Sequence, residues 1–315
     1  ENAYGMFATG SSDLANHGSI VTEGVWGLGM NAAYGSSAFN DGSITTASDD
    51  AVGILVTLDS TGENEGTITT SGFRADGMLA SGNSAISNSG SIATSGDQAH
   101  GMSASYGATS SNSGSIVTSG GHAAGMLAAG NSSATNSGTI TTSGDDAEGM
   151  LADGTSWIRN LSGGVIVTYG EDAHGMFAKL GSSADNAGTI ETNGTSAMGM
   201  GAMAFSYAVN TGSITTHGNG SLGMFADLES VISNLGSDSI VTWGDGAHGM
   251  MAQNGSSADN SGSITTHGEG AYGMLARLES TAMNDGMITT SGQNAYGMMA
   301  DDGSLVRNLY FGNIV

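Results

Sequence analysis

Asparagine recurs at Asn16, Asn40, Asn64, Asn88, Asn112, Asn136, Asn160, Asn186, Asn210, Asn234, Asn260, Asn284 and Asn308, with a step of 24 residues that widens to 26 only after Asn160 and Asn234. A chain that returns to the same residue at one short fixed period folds as a stack of one unit, each copy touching only its neighbours. Eleven residues before each asparagine stands a glycine, followed by methionine in twelve of the thirteen units and by Ile54 after Gly53 in the other. Counting that glycine as phase 0, isoleucine occupies phase 15, and threonine follows it two residues later from Thr22 to Thr290. Three units, those containing Ile166, Ile240 and Ile314, carry a two-residue insertion just before the isoleucine.

Each unit holds three short apolar segments separated by Gly, Ser, Asn and Asp, too short and too rich in helix breakers for a helical hairpin repeat. The expected fold is all-β: a right-handed parallel β-solenoid, or β-helix, of about 13 coils of 24 residues with three short strands per coil, filling 1–315 as a single repeat domain. Identical phases then stack at roughly 4.8 Å. A stacked asparagine column inside a turn lets each side-chain amide bond the next, and a missing member strands buried amides. Asn136→Ala is therefore expected to be more harmful than a change at Ser132, which reads as surface. Proline would remove a ladder donor at any strand phase, and the chain has none.

The uniform small or apolar phases are expected to face inward: Met at phase 1, Ala at phase 3, the set Leu14, Ile86, Ile158, Ile232 and Val306 at phase 9, Ile at phase 15 and Thr at phase 17. Phase 2 alternates out of that core yet is apolar in ten coils, among them Phe7, Leu55, Leu79, Phe225, Met251 and Leu275. Two readings stay open: an exposed stripe that wants a cover, or a chain that bends at the phase-0 glycine so that phase 2 also packs inside. The insertions at Leu161-Ser-Gly-Gly, Leu235-Gly-Ser-Asp and Leu309-Tyr-Phe-Gly are expected to bulge outward as a spaced row available for lateral contacts.

Charge and composition exclude several classes. With 29 acidic against five basic side chains, the net charge of −24 repels phosphate backbones and anionic lipid, so nucleic acid is no partner. No apolar run reaches membrane-spanning length, so membrane insertion is not expected. Absence of cysteine removes disulfide and thiol chemistry. Glu1-Asn2-Ala3 lacks the basic and apolar layout of a signal peptide, as in a mature chain or an excised segment.

The units reading Asn-Ser-Gly-Ser-Ile-x-Thr-Ser-Gly-Asp-x-Ala-His-Gly-Met, as at 88–102, resemble passenger segments of bacterial autotransporter and filamentous-haemagglutinin-like surface proteins. The resemblance covers nearly the whole chain. It implies an exported solenoid at the bacterial cell surface, working as adhesin, spacer or surface fibre.

Candidate chemistry concentrates in the acidic turn after the threonine. Asp145 and Glu171 share a phase in adjacent units, as do Asp245 and Glu269, and Tyr169 and Trp243 lie two residues from such acids. Stacked carboxylates about 5 Å apart match a retaining glycosidase, the aromatic rings suit sugar stacking, and the oxygens suit calcium. Against this, solenoid turns must be polar and acids keep a secreted fibre soluble, so no cofactor and no enzymatic role are expected. His100, His174 and His248 recur every 74 residues, too far apart to share an ion, and read as surface residues. Threonine recurs at phases 16 and 17, but phase 16 is interrupted by Val21, Ala93, Val117, Val167, Glu191 and Val241, which argues against a regular ice-binding grid. The function expected is a non-enzymatic extracellular structural or adhesive protein; the alternative is a passenger that binds or acts on surface polysaccharide through the acidic and aromatic groove. Val315 ends at phase 16 and Glu1 begins at phase 20, so self-association by head-to-tail stacking into a filament is expected, unless the chain is a window cut from a longer one.

Overall fold

The computed structural model describes residues 4–235 and 239–315. It is all-β: three parallel sheets of thirteen strands each, every coil contributing one strand to each sheet, so the chain is a β-solenoid of thirteen coils. The first sheet begins with Tyr4–Thr9, the second with Asp13–Asn16 and the third with Ser19–Thr22. Register is set by sequence phase, as in Met78↔Met102, Asn88↔Asn112 and Ile92↔Ile116. Cα packing divides the chain into two compact units, 1–151 and 152–315.

Four-residue strands bury alternate positions, and the inward set contains methionine, alanine and isoleucine that are almost wholly excluded from solvent. The asparagines lie at the strand-to-turn corner. In the first unit each Asn Nδ2 from Asn16 to Asn112 donates to the Oδ1 of the next asparagine, and in the second the same holds from Asn160 to Asn284, at 2.7–2.9 Å. The remaining amide proton turns to a carbonyl of its own turn, such as Gly212 for Asn210.

Two further polar devices hold the stack. The threonine of phase 17 points inward and in most coils closes its own coil, Thr94 Oγ1 donating to the Ala99 carbonyl at 2.7 Å and Thr168 to Ala173 likewise, while the buried Thr192 and Thr216 hydroxyls make no such bond. Because these hydroxyls are turned into the core, the third sheet displays no double row of threonine. At phase 7 a serine column does for the opposite corner what asparagine does for the first: the Ser36 N–H donates to Ser60 Oγ at 3.2 Å, and Ser206 N–H to Ser230 Oγ at 3.0 Å. Ser132 belongs to this column and is 1% exposed, so it is not a surface residue as expected; serine is so common in this chain that the column is camouflaged.

Glycine at phase 0 is required by space. A Cβ at Gly77 would collide with Ile92 Cγ2 and stand 2.6 Å from the Gly101 carbonyl oxygen. The glycine and the following methionine therefore both turn inward, and the chain bends. Phase 2 stays outside, sheltered rather than swallowed: Leu79 and Leu127 are half-buried, while Phe225, Met251 and Leu275 are 6–8% exposed. The structure gives each of the two open readings a part.

The insertion at 161–164 forms an exposed turn, Gly164 N–H to Leu161 carbonyl at 2.8 Å with Gly163 at φ 91°, and the ladder resumes at Val165–Thr168. Tyr310 and Phe311 of the last insertion are 93% and 75% exposed. In the middle insertion only Leu235 is described; 236–238, like Ala3, lie outside the described residues.

Candidate functional site

With the interior given over to ladders, chemistry is confined to the corners. The acidic corner follows the third sheet. Its phase-20 side chains reach the next coil: the Phe73, Gly121 and Glu269 N–H groups donate to Asp49, Asp97 and Asp245 Oδ1, each at 2.9 Å. Asn219 does the same for the Asp245 N–H at 3.0 Å. At 49, 97, 219 and 245 Asp and Asn are interchangeable because either side-chain oxygen serves. Asp245 is thus committed to the Glu269 backbone rather than aimed at a substrate.

Of the sequence-selected residues, Tyr169, Glu171, Trp243, Asp245 and Glu269 belong to the second unit and Asp145 to the first, where its carbonyl accepts the His122 N–H. Tyr169 and Trp243 are 55% and 51% exposed, three coils apart. Trp243 lies against His267, ring centroids 4.0 Å apart at 16°, so one indole face is covered by the protein itself. Among the described residues no three His, Asp or Glu side chains gather to hold a metal ion.

The histidines of the 74-residue period are half-buried, not surface side chains. Each accepts a backbone N–H of the next coil at Nδ1: Ala124 on His100, Met198 on His174 and Tyr272 on His248, at 3.0–3.1 Å. That bond requires an unprotonated Nδ1, hence the proton on Nε2 in the neutral ring. His248, stacked on Tyr272 at 4.8 Å, has its pKa lowered to about 4 by burial and, secondarily, by the Arg277 charge. A depressed folded-state pKa gives stability that is complete above about pH 6.5 and is lost as pH falls toward 4. The expected loss is on the order of 3 kcal/mol at 1.36 kcal/mol per pKa unit. Urea titrations from pH 7 to 4 should show that slope, and His248→Asn, which keeps an acceptor as Asp76 does for the His100 N–H, should flatten it.

The corner after the first sheet is the least ordinary. In all thirteen coils phases 5 and 6 are both left-handed, for example Tyr34 at φ 56° with Gly35 at 73°, or Leu228 at 54° with Glu229 at 58°. Glycine, Asn and Asp tolerate this conformation, and leucine, tyrosine and phenylalanine do not. Yet Tyr106 is 76% exposed there, Tyr34 64%, Phe205 62% and Leu180 57%. These residues escaped the sequence reading because Gly, Asn and Asp, the usual marks of such turns, alternate with bulky side chains.

Parallel coils, polar ladders and a variable exterior make this an autotransporter-passenger-like β-solenoid. The chain belongs to the family described as the BigA third pectate lyase-like domain, which matches residues 1–72, 25–156, 146–242 and 230–312. The first two matches start 24 residues apart, one coil, as a repeat requires. A chain in the cryo-EM structure of the Vag8–C1 inhibitor complex aligns over 100% of this chain and 99% of its own at 14% identity and a TM-score of 0.61, which shows a shared fold. No curated protein matches the sequence.

Proposed function

We propose that the chain is a non-enzymatic adhesive protein of the bacterial exterior, whose coils hold an outward row of side chains at fixed spacing against a macromolecular partner. The observation that carries this reading is the left-handed corner. Glycine makes the same turn in other coils without strain, whereas each bulky residue there costs on the order of 1 kcal/mol. The fold does not need Tyr34, Tyr106 or Phe205 at these places, and rigidly held aromatic rings supply contact area with little entropy left to lose. Support comes from the fold shared with a chain of the Vag8–C1 inhibitor complex, in which one protein is bound to another.

The test is adhesion of beads carrying the full chain to arrayed extracellular-matrix proteins and surface glycans. Tyr106→Gly with Phe205→Gly should reduce retention tenfold or more while stability stays within about 1 kcal/mol. Equal retention of both proteins sinks the reading. Incubation with acidic and neutral glycans should produce no depolymerisation; new chain ends would favour the second reading, a polysaccharide-acting passenger, for which the exposed Tyr169 and Trp243 rings and the family's lyase-like description speak.

Self-association belongs to the same proposal. The exposed bulges at Leu161 and at Tyr310-Phe311 offer lateral contacts, and coil-on-coil stacking offers head-to-tail growth. Electron microscopy of purified protein should show filaments; single short particles at high concentration would remove this part.

A further inference from the structure

The bend at the phase-0 glycine shapes the outside as well as the core. Residues just before it and two after it flank a trough along the outer face of the first sheet. In the unit 152–315 the trough fills itself: Leu222, Phe225, Met251 and Leu275 bury one another, with Met198, Tyr272 and Met299 packed against them. In the unit 1–151 small or polar residues, Asn31, Asp76 and Ser103, interrupt the apolar row and leave it open. Two cavities result that share Arg74 and Leu79. One, of about 330 Å³, is rimmed by Tyr4 and Trp26 over Leu28, Val52 and Leu55. The other, of about 280 Å³, is lined by Asp76, His100 and Ser103 between Leu79 and Leu127.

Asp76 is the unusual member. It is 6% exposed, its Oδ1 accepts the His100 N–H at 2.8 Å, and the Ser103 hydroxyl bonds to it. Coil-to-coil bonding needs only an acceptor at this phase, and His100 Nδ1 supplies the same for the Ala124 N–H. A carboxyl therefore brings a charge that the ladder does not use, and burial pushes its pKa above the ordinary range. His100 and Arg74 act on the Asp76 carboxyl as charges that oppose but do not cancel the effect of burial; the Arg74 Nε itself lies 3.4 Å from Asp50 Oδ1, with its side chain 57% exposed.

We propose that this trough docks an extended segment of a partner protein, its aliphatic side chains lying on Leu28, Val52, Leu55 and Leu79 and a lysine or arginine reaching Asp76. A basic occupant follows from charge complementarity: the chain carries −24, which steers cationic segments toward it, and the buried Asp76 carboxyl at the trough's polar end, still raised in pKa beside His100 and Arg74, gains from a further positive charge. The assignment rests on the adhesive reading above and names a site and a partner chemistry for it.

Fluorescence anisotropy of labelled Ac-Leu-Lys-Leu-Lys-Leu-NH2 with the full chain at physiological salt tests it, with the glutamate counterpart as control. The lysine peptide should bind saturably and the glutamate peptide should not. Asp76→Asn, which keeps the acceptor for the His100 N–H, should weaken binding at least tenfold. Ser103→Leu places there the residue found at the same phase in both neighbouring coils, closes the cavity and should have the same effect. Asp97→Asn removes an equal charge from an exposed turn and should change affinity less than twofold. Equal weakening by Asp76→Asn and Asp97→Asn, unchanged binding after Ser103→Leu, or displacement of the peptide by neutral oligosaccharide would overturn the proposal. If the chain adheres to the arrayed surfaces but does not bind the peptide, the trough assignment fails and the adhesive reading stands; failure of both assays removes both.

Discussion

Replacing Asn210 by alanine should lower stability by about 3 kcal/mol, near the upper end for a single polar side chain in this fold. The residue is fully buried. Its Oδ1 accepts from Asn186 Nδ2 at 2.8 Å and from the Gly212 N–H at 3.3 Å, and its Nδ2 donates to Asn234 Oδ1 at 2.8 Å and to the Gly212 carbonyl at 2.9 Å. Alanine removes all four bonds and leaves groups on both neighbouring coils without that partner in a place water does not reach. Each net hydrogen bond is worth about 1 kcal/mol, and an unsatisfied buried group costs about 1–3. Asn308→Ala is the internal comparison, because Asn308 is exposed and bonds only the Asn284 column member and its own turn. Its loss should be about 1 kcal/mol. Since coils couple mainly to nearest neighbours, hydrogen exchange should show protection lost around 186–234 before the remainder of the chain. Equal effects of the two substitutions would show that the column contributes no more in its middle than at its edge.

The repeat made the coil, the three strands and the inward phases legible, because position in the period dictates which side of a strand a residue takes. Legibility failed where the stack needs one atom rather than one residue type. At phase 20, Asp49, Asp97, Asn219 and Asp245 all present an oxygen to the next N–H, and just before the glycine Asp76, His100 and His248 all present an acceptor. Such a column has no constant letter, so its carboxylates resemble a catalytic or calcium site and its histidines resemble surface residues. The serine column failed for the opposite reason: its letter is constant in every coil but the one with Ala108, yet common everywhere. The left-handed corner is hidden because the backbone imposes one conformation on residues as different as Gly82, Leu58 and Tyr106. Only the three-dimensional bend shows that this corner and the trough, rather than the acidic turn alone, carry the outward-facing apolar groups.

Gly77→Ala should be more damaging still, at least about 4 kcal/mol, because the added methyl meets a side chain and a backbone carbonyl at once. The Ile92 Cγ2 belongs to the packed interior, where Ile92 is 0% exposed and cannot swing away. The Gly101 oxygen accepts the Met78 N–H at 3.0 Å, so backing away from it breaks a rung of the first sheet. Removing the side-chain half of the conflict separates the two contributions. Ile92→Ala alone should cost about 3 kcal/mol by leaving a cavity, but in the Gly77→Ala background it relieves one collision. The double variant should therefore lie about 1–2 kcal/mol above the sum of the singles in a denaturation cycle. Strict additivity would mean that the carbonyl alone excludes a side chain at phase 0. Because Gly77 lies directly between Asp76 and Met78, the backbone displacement also moves the floor of the trough. Peptide affinity in Gly77→Ala should then fall with stability, whereas Gly199→Ala, the same collision in the other compact unit, should lower stability and leave peptide affinity as it was.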